Sequence, residues 1–383
     1  MKIVHICLSG AVTDGFAYQD NLLSKYHKKM GYDVSFITSK WIYNENGEIV
    51  QTDKDTYFNE DGVKMIRLLN KKGEKYEQKF KHFIGLTDAL NREHPDILFI
   101  HGPQFLEMPE VVNYVKKNKV NVYVDNHADF SNSGRRFLSK YVLQGIIWKR
   151  MAQMINPYTK KFYGVLPARV DWLKNVYGLP DEKCELLVMG ADDEAVQQAL
   201  SEQSQQSFRR KYGIKQDDFL IVTGGKIDSF KLQTLLLMEA VHKIHNDKIK
   251  LVVFGSVQKD IRPRLEELCD GRRVQYIGWA KGNQSYEYMG AADLIAFPGR
   301  HSVYWEQAAG LGIPMLCKYW EGTDHVDLGG NVRFFREDSP EEIKRMLEKI
   351  ITNPEDYKNM KRIAEEKGIE TFSYKKIAER SLR

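Results

Sequence analysis

Phe297-Pro298-Gly299-Arg300-His301-Ser302-Val303-Tyr304-Trp305-Glu306-Gln307-Ala308-Ala309-Gly310-Leu311-Gly312-Ile313-Pro314 is the stretch that decides the fold. An apolar strand, Leu294–Phe297, ends in Pro-Gly, and a short loop then carries Arg300 and His301. A helix is expected over Ser302–Gly310, with Ser302 as N-cap and Glu306 within its first turns. Ala308, Ala309 and Gly310 give it a small-residue face for close packing. Gly312 and Pro314 stop it and open the next strand, Pro314–Cys317. This order is a parallel βαβ unit with a right-handed crossover. Amides at Ser302, Val303 and Tyr304 would seat an anion at the helix start. Glu306 or Gln307 offers groups for ribose or sugar hydroxyls.

Working outward, the same alternation fills the chain. Candidate strands in the first half are Lys2–Leu8, Asp33–Thr38, Lys64–Leu68, Asp96–His101, Asn121–Asp125, Phe162–Leu166 and Glu185–Met189. Helical patterns between them include Phe16–Met30, Tyr76–Arg92 and Phe137–Met154. The alternation then restarts with Phe219–Thr223, Lys250–Phe254, Arg273–Ile277, Leu294–Phe297, Pro314–Cys317 and Val332–Phe335, and a helix over Leu232–Ile244. Near-continuous apolar strands imply cover on both faces. Asp192–Gln216, with the polar run Ser201–Ser207, reads as a linker or an exposed helix. The tail after Pro354 reads as two helices with Gly368 between them. The fold class is α/β, two doubly wound Rossmann-like domains facing a cleft. Residues 1–190 form the first, 191–355 the second, and 356–383 are helices returning to the first. Ligands in such sheets bind outside the carboxyl ends of the strands.

Composition narrows the function. In 383 residues, 42% apolar and 28% charged content excludes a wholly disordered chain. The 4 cysteines, Cys7, Cys184, Cys269 and Cys317, form no CxxC pair, which excludes a zinc ribbon and fits a reducing cytoplasm. No apolar run reaches the ~18 residues of a spanning helix. Met1–Leu8 reads as a buried strand rather than a signal peptide. The net charge of +5 lies wholly in residues 1–190, with 27 Lys/Arg against 22 Asp/Glu. That is too mild for a nucleic-acid binder and suits an anionic surface or small anionic ligand.

Two further strand-to-helix turns carry glycine. Ser9-Gly10-Ala11-Val12-Thr13-Asp14-Gly15 follows the first strand and is either an anion seat at Gly10 or a tight turn. Thr223-Gly224-Gly225-Lys226-Ile227-Asp228-Ser229-Phe230-Lys231 follows the first strand of the second half. Its two lysines, five apart after Gly225, suit a diphosphate without a metal. Neither turn is G-x-G-x-x-G or a Walker A loop. His127, in Val124-Asp125-Asn126-His127-Ala128-Asp129, follows a strand and can hydrogen-bond a hydroxyl or a developing charge. His101 ends the preceding strand and is the weaker candidate. Asp125 and Asp129 serve an acceptor hydroxyl or local capping. Asp53-Lys54-Asp55 is a D-x-D in a polar loop, without the buried strand that a metal-diphosphate site needs. Ser131–Met154 combines Arg135, Arg136, Lys140, Lys149 and Arg150 with Phe137, Leu138, Val142, Leu143, Ile146, Ile147 and Trp148. It is either a helix packed on the sheet or a basic amphipathic helix lying on an anionic membrane.

Taken in order, these segments resemble GT-B-fold glycosyltransferases, most closely the retaining family 4 group, glycosyl transferases group 1. The N-terminal strand and glycine turn resemble the acceptor-side loop. Gly225-Lys226 through Lys231 resembles the Gly-Arg…Lys diphosphate site. Val274-Gln275-Tyr276-Ile277-Gly278-Trp279, followed by Tyr286–Ala292, Asp293-Leu294 and Pro298, resembles the base-binding turn and the next strand. Gln307 through Pro314 resembles the Glu-Ala-x-Ala-x-Gly-x-Pro helix. Leu187-Val188-Met189-Gly190-Ala191-Asp192 resembles the segment that closes the first domain. The chain departs from the pattern at the family's two glutamates. Counted back from Pro314 they fall on Gly299 and Gln307, and a one-residue shift gives Pro298 and Glu306. The first glutamate is therefore missing; either its sugar-binding role passes to His301 or Arg300, or the donor differs. Lys226 replaces the family's arginine and loses its bidentate fork.

The resemblance implies a cytoplasmic, metal-independent retaining hexosyltransferase in surface polysaccharide or glycoconjugate synthesis. Its donor would be a nucleotide diphosphate-sugar, UDP-sugar first and GDP-sugar second, with no other cofactor. The acceptor would be a glycan or lipid-linked glycan, with peripheral contact at the inner membrane face through the basic N-terminal domain. Ile277, Gly278 and Trp279 would hold the base. Lys226, Lys231 and Ser302–Tyr304 would hold the diphosphate, and Glu306 or Gln307 the ribose. His127 and His301 would face the sugar. A 2-epimerase of the same fold and an inactive transferase-like partner subunit stay open as alternatives.

Overall fold

The structure, a computed structural model, describes residues 1–44, 48–71, 81–130, 133, 138–229 and 231–383. The chain divides into two compact units, Met1–Val188 with Ile377–Arg383, and Met189–Lys376.

The first unit is built on one sheet. Its strands are β1 (Lys2–Cys7), β2 (Asp33–Ser39), β3 (Trp41–Tyr43), β4 (Ile49–Gln51), β5 (Thr56–Phe58), β6 (Lys64–Asn70), β7 (Phe83–Ile84), β8 (Ile97–His101), β9 (Asn121–Asn126), β10 (Thr159–Gly164) and β11 (Cys184–Leu186). The sheet order is β11-β10-β9-β8-β1-β2-β6-β5, with β7 on β6, while β3 and β4 pair separately. The central strands are parallel, and β5 and β7 join antiparallel. β1, in the middle, is apolar except for Lys2 and His5, and residues Ile3 to Cys7 are buried. The strand order reverses between β1 and β8, so the turns Ser9-Gly10 and Gly102-Pro103 lie side by side. A Cβ on Gly102 would come 2.8 Å from Ser9 Oγ, and Ser9 Oγ donates to the His101 carbonyl at 2.8 Å.

The second unit repeats the plan with β12 (Phe219–Gly224), β13 (Ile249–Phe254), β14 (Val274–Tyr276), β15 (Leu294–Phe297), β16 (Met315–Lys318) and β17 (Val332–Phe335). All are parallel, in the order β14-β13-β12-β15-β16-β17. This is the doubly wound 3-2-1-4-5-6 order, reversing between β12 and β15. The core joins Ile221, Leu251, Val253, Leu294 and Leu316 to the helix Gln233–His242 through Leu237, Met238 and Val241. The α/β fold class read from the alternation is the one observed.

Several local expectations change. Of Tyr76–Arg92, residues 76–80 lie outside those described; the rest is β7 and a helix over Leu86–Glu93. Gly85, at φ +92°, separates them. Phe137, Arg135 and Arg136 also lie outside the described residues. Leu138–Trp148 winds as a wide π-type helix and Lys149–Ile155 continues as α-helix. Of the two readings of Ser201–Ser207, linker or exposed helix, the exposed helix is the one observed. Ser201 caps the helix Glu202–Lys211 by accepting from the Ser204 amide. Gly368 does not separate two helices. The helical path Pro354–Thr371 runs through it and breaks only before Tyr374–Arg380. A Cβ on Gly368 would lie 2.2 Å from the Ala309 carbonyl oxygen, so glycine is there for close helix approach.

Candidate functional site

In the second unit the strand ends converge. The Gly224-Gly225 turn crosses the end of β13 so closely that a Cβ on Gly255 would lie 1.7 Å from the Gly225 oxygen. Gly225 and Gly255 both have φ +129°, which L side chains rarely adopt. A Cβ on Gly225 would sit 3.8 Å from the Tyr304 ring, so this turn abuts the helix that follows β15. Lys231 Cγ lies 3.5 Å from the Cβ position of Gly299. Lys226 is exposed and 3.4 Å from Asp228 Oδ2. Burial lowers the Lys231 ammonium, Asp228 raises it and Lys226 lowers it again. Phe230 lies outside the described residues. The third turn is tied in by the Gly255 amide, which donates to the Gly278 carbonyl at 2.7 Å. Ile277 donates to Val253, and Trp279 is left 55% exposed, a flat apolar face beside these glycines.

The helix after β15 begins at Tyr304, not at Ser302. Val303 stands at the cap position and no side chain caps the helix; the Ser302 carbonyl instead accepts from the Trp305 amide at 2.9 Å. A tight opening turn thus replaces the expected side-chain cap. Glu306 and Gln307 are 0% and 2% exposed. His301 Nε2 and His325 Nε2 each lie 2.8 Å from Glu306 Oε1. Burial alone would raise this carboxyl, but the His301 and His325 rings hold it down to about 2. Glu306 Oε2 and His325 Nδ1 are buried without a hydrogen-bond partner. His301, Glu306 and His325 have the donor types of a metal site. Their 2.8 Å spacing is that of N–H···O bonds. Ligands at about 2.0–2.2 Å from a zinc-like ion would stand near 3 Å or more apart.

In the first unit Gly10 is exposed, and a Cβ there would meet nothing within 4 Å. The Lys81 ammonium, lowered to about 8 by burial, donates to the Ser9 carbonyl. Asp14 is occupied by Tyr57 and Arg67, and Asp129 by Arg169 at 2.9 Å. His127 is 41% exposed in its side chain, with Nε2 3.4 Å from Asp125 Oδ1. His101 Nδ1 donates to the other Asp125 oxygen at 2.8 Å. Burial would raise Asp125, but His101 and His127 hold it well below the usual carboxylate range. Asp53-Lys54-Asp55 lies in a loop before β5, as expected.

The second unit therefore gathers Gly225, Lys226, Lys231, Gly278, Trp279, Tyr304 and the Gly299 loop at one sheet end. Gly10 and His127 sit at the matching end of the first sheet. Residues 204–367 match the family described as Glycosyl transferases group 1. Over its whole length the chain superimposes on a glycosyltransferase from Rickettsia africae ESF-5, with TM-score 0.70, 12% identity, and coverage of 100% of this chain and 96% of that one. The chain has the GT-B glycosyltransferase fold. A second structure, Anabaena Alr3699/HepE in complex with UDP, gives TM-score 0.68 at 14% identity, covering 99% and 98% of the two chains. In sequence, a stretch of 137 residues is 28% identical to the uncharacterized glycosyltransferase MJ1607 of Methanocaldococcus jannaschii. It spans 34% of this chain and 33% of that relative. In this GT-B chain the family match contains the lysines, the Gly278 turn and the Glu306 cluster; Gly10 and His127 precede it.

Sequence reasoning missed His325, Lys81, His5 and His27. His325 lies in an irregular loop after β16, and no spacing ties it to Glu306. His5 and His27 read as ordinary positions in a strand and a helix. No helix among the described residues is long and apolar enough to cross a membrane.

Proposed function

We propose that the chain is a retaining glycosyltransferase that moves a hexosyl group from a nucleotide diphosphate-sugar to an acceptor hydroxyl. The observation that carries this is the convergence of the Gly225 turn, Lys231 and the Gly299 loop at the switch point between β12 and β15. Lys226 and Lys231 would neutralise the diphosphate as the glycosidic bond breaks, the main electrostatic task of the step. They supply cationic charge at the place where other transferases use a metal, and the proposed reaction needs none. Trp279 would stack on the base beside Ile277 and Gly278. Tyr304, with Ser302 and Val303, would close the phosphate seat. Glu306 or Gln307 would hold the ribose. His301 and His127 would face the sugar. In the retaining course the acceptor hydroxyl attacks from the leaving-group face, and the departing phosphate takes its proton.

UDP is the first nucleotide to test, supported by the UDP complex of a chain with this fold, and GDP the second. The acceptor is proposed to be a glycan or lipid-linked glycan of surface polysaccharide or glycoconjugate synthesis, met in the cytoplasm at the inner membrane face. Tyr141, Val142, Leu143 and Ile146 support that placement, being 52%, 39%, 41% and 62% exposed beside Lys140. The C-terminal part of the same segment buries Trp148, Met151, Ala152 and Ile155.

A thermal-shift panel in EDTA with UDP, GDP, ADP, CDP and NAD tests the proposal. A ligand at ~100 times its dissociation constant stabilises by roughly 2.7 kcal/mol. A selective shift with one diphosphate nucleotide names the base. A shift with NAD alone overturns the proposal, and no shift moves the assignment to an inactive partner subunit.

A further inference from the structure

Strand register and one helix bring three histidines into line beneath the first sheet. His5 on β1 pairs in register with Phe99 on β8, and His101 two residues on pairs with Asp125 on β9. His27, from the helix Gln19–Lys29, meets the end of the chain at Ala378 and Ser381. His27 Nδ1 lies 3.0 Å from His5 Nε2, His5 Nδ1 lies 2.9 Å from His101 Nε2, and His101 Nδ1 lies 2.8 Å from Asp125 Oδ2. At the far end, Ser381 Oγ lies 3.0 Å from His27 Nε2 and donates to the Ala378 carbonyl at 2.9 Å. His5, His27, Asp125 and Ser381 are 0% exposed and His101 is 2% exposed. Phe36 and Phe99 flank the rings, with centroids 5.6 and 5.5 Å from His5.

A ring nitrogen donates only if it carries a proton, so this file has two arrangements. With three ring protons, every ring donates toward Asp125. Ser381 must then turn its hydroxyl to His27 and abandon Ala378, and the file holds a buried carboxylate without a counter-charge. With four ring protons, His101 donates both to Asp125 and to His5, His5 donates to His27, and His27 to Ser381. Ser381 keeps its bond to Ala378, every ring nitrogen of the file has a partner, and the buried carboxylate is paired through Oδ2.

We propose that the file holds the fourth proton, so that His101, backed by His5, His27 and Ser381, is the positioning residue that keeps Asp125 ionised and aimed at His127. The role of His127 rests on the proposed transferase function; the proton count does not. Burial pushes His5 well below its usual range and His27 down to about 4, which leaves the extra proton beside the carboxylate. The other polar groups facing Asp125 are Gln19, whose Nε2 donates to Oδ2 at 3.3 Å, and the half-buried Asp20 and the buried Cys7 in its field.

The test is ring-nitrogen NMR on the full chain labelled with 15N-histidine at pH 7. The expected result is one buried ring with both nitrogens protonated, assigned to His101 by its loss in His101→Gln, and two buried neutral rings carrying Nε2–H. Three neutral rings carrying Nδ1–H overturn the proposal. Ser381→Ala, checked for an unchanged fold by its amide spectrum, is expected to shift the His101 signals across two intervening rings. A change confined to His27 means that the rings are only packed together, and also overturns it. In a nucleotide-release assay Ser381→Ala is expected to lower kcat several-fold with donor KM unchanged. If the wild-type chain releases no nucleotide, the transferase proposal fails while the NMR result still decides the file.

Discussion

His301 Nε2 and Glu306 Oε1 are 2.8 Å apart, and this bond fixes a fully buried carboxylate at the carboxyl end of the second sheet. His325 shares the same oxygen at 2.8 Å. The folded carboxyl titrates at about 2, while an unfolded glutamate titrates near 4.5. The unfolded chain therefore binds the proton first as pH falls. The contribution is complete above about pH 4.5 and is lost on the way down to about 2, on the order of 3 kcal/mol in all. Trp305 reports on it, since its ring meets His301 edge-on at 5.3 Å. Trp305 fluorescence is expected to change across that window, and Glu306→Gln is expected to remove most of the change.

The first unit has the opposite kind of group. Burial lowers His27 to about 4 from 6.5, so the unfolded chain takes up the proton while the folded one refuses it. The contribution of His27 is complete above about pH 6.5 and is lost as pH drops toward 4, with His5 adding to the slope, so stability of this unit is expected to fall over that range. Hydrogen exchange of β1 amides against pH measures this. Protection that does not change between pH 7 and 5 would contradict it.

Gly255→Ala is expected to be among the most damaging single-methyl additions in the second unit. The new Cβ would lie 1.7 Å from a backbone oxygen, at φ +129°, so neither neighbour nor backbone can give way cheaply. A cost on the order of 3 kcal/mol, together with loss of nucleotide binding, is expected. Gly10→Ala, which meets nothing within 4 Å, is the control and should unfold with the wild type in denaturant melts.

These positions also show what was legible beforehand. The turns that carry Gly225, Lys226, Lys231 and Gly278 are legible because a glycine turn after a buried strand has a local signature. The opening of the helix at Tyr304 is not, because Ser302 has the composition of a cap but its carbonyl closes a tighter turn. Gly368 read as a break because its reason, the Ala309 carbonyl 2.2 Å from a would-be Cβ, lies far away in sequence. The Glu306 cluster was half visible. His301 lies five residues away on the same segment, whereas His325 arrives on a loop that leaves no periodicity. The histidine file was invisible for the same reason, being assembled by strand register and the end of the chain.

Membrane contact gives a prediction of its own. Leu143 and Ile146 are 41% and 62% exposed, on a segment with Lys140, Lys149 and Arg150. Cosedimentation with vesicles rich in anionic lipid is expected, weakening with salt. Leu143→Ser with Ile146→Ser should reduce it several-fold without changing the melting temperature. Equal sedimentation of wild type and double variant would remove this face from the account.

The central claim is that Lys226 and Lys231 hold a nucleotide diphosphate without a metal. Isothermal titration of UDP, then GDP, into the full chain in EDTA tests it most directly, with Lys231→Ala alongside. The account predicts saturable binding of one of them by the wild type, unchanged when magnesium is added. It also predicts affinity about 10–100-fold weaker in Lys231→Ala, as befits a lost charge-assisted hydrogen bond. Binding that appears only with magnesium, or that is equal in wild type and Lys231→Ala, would contradict it.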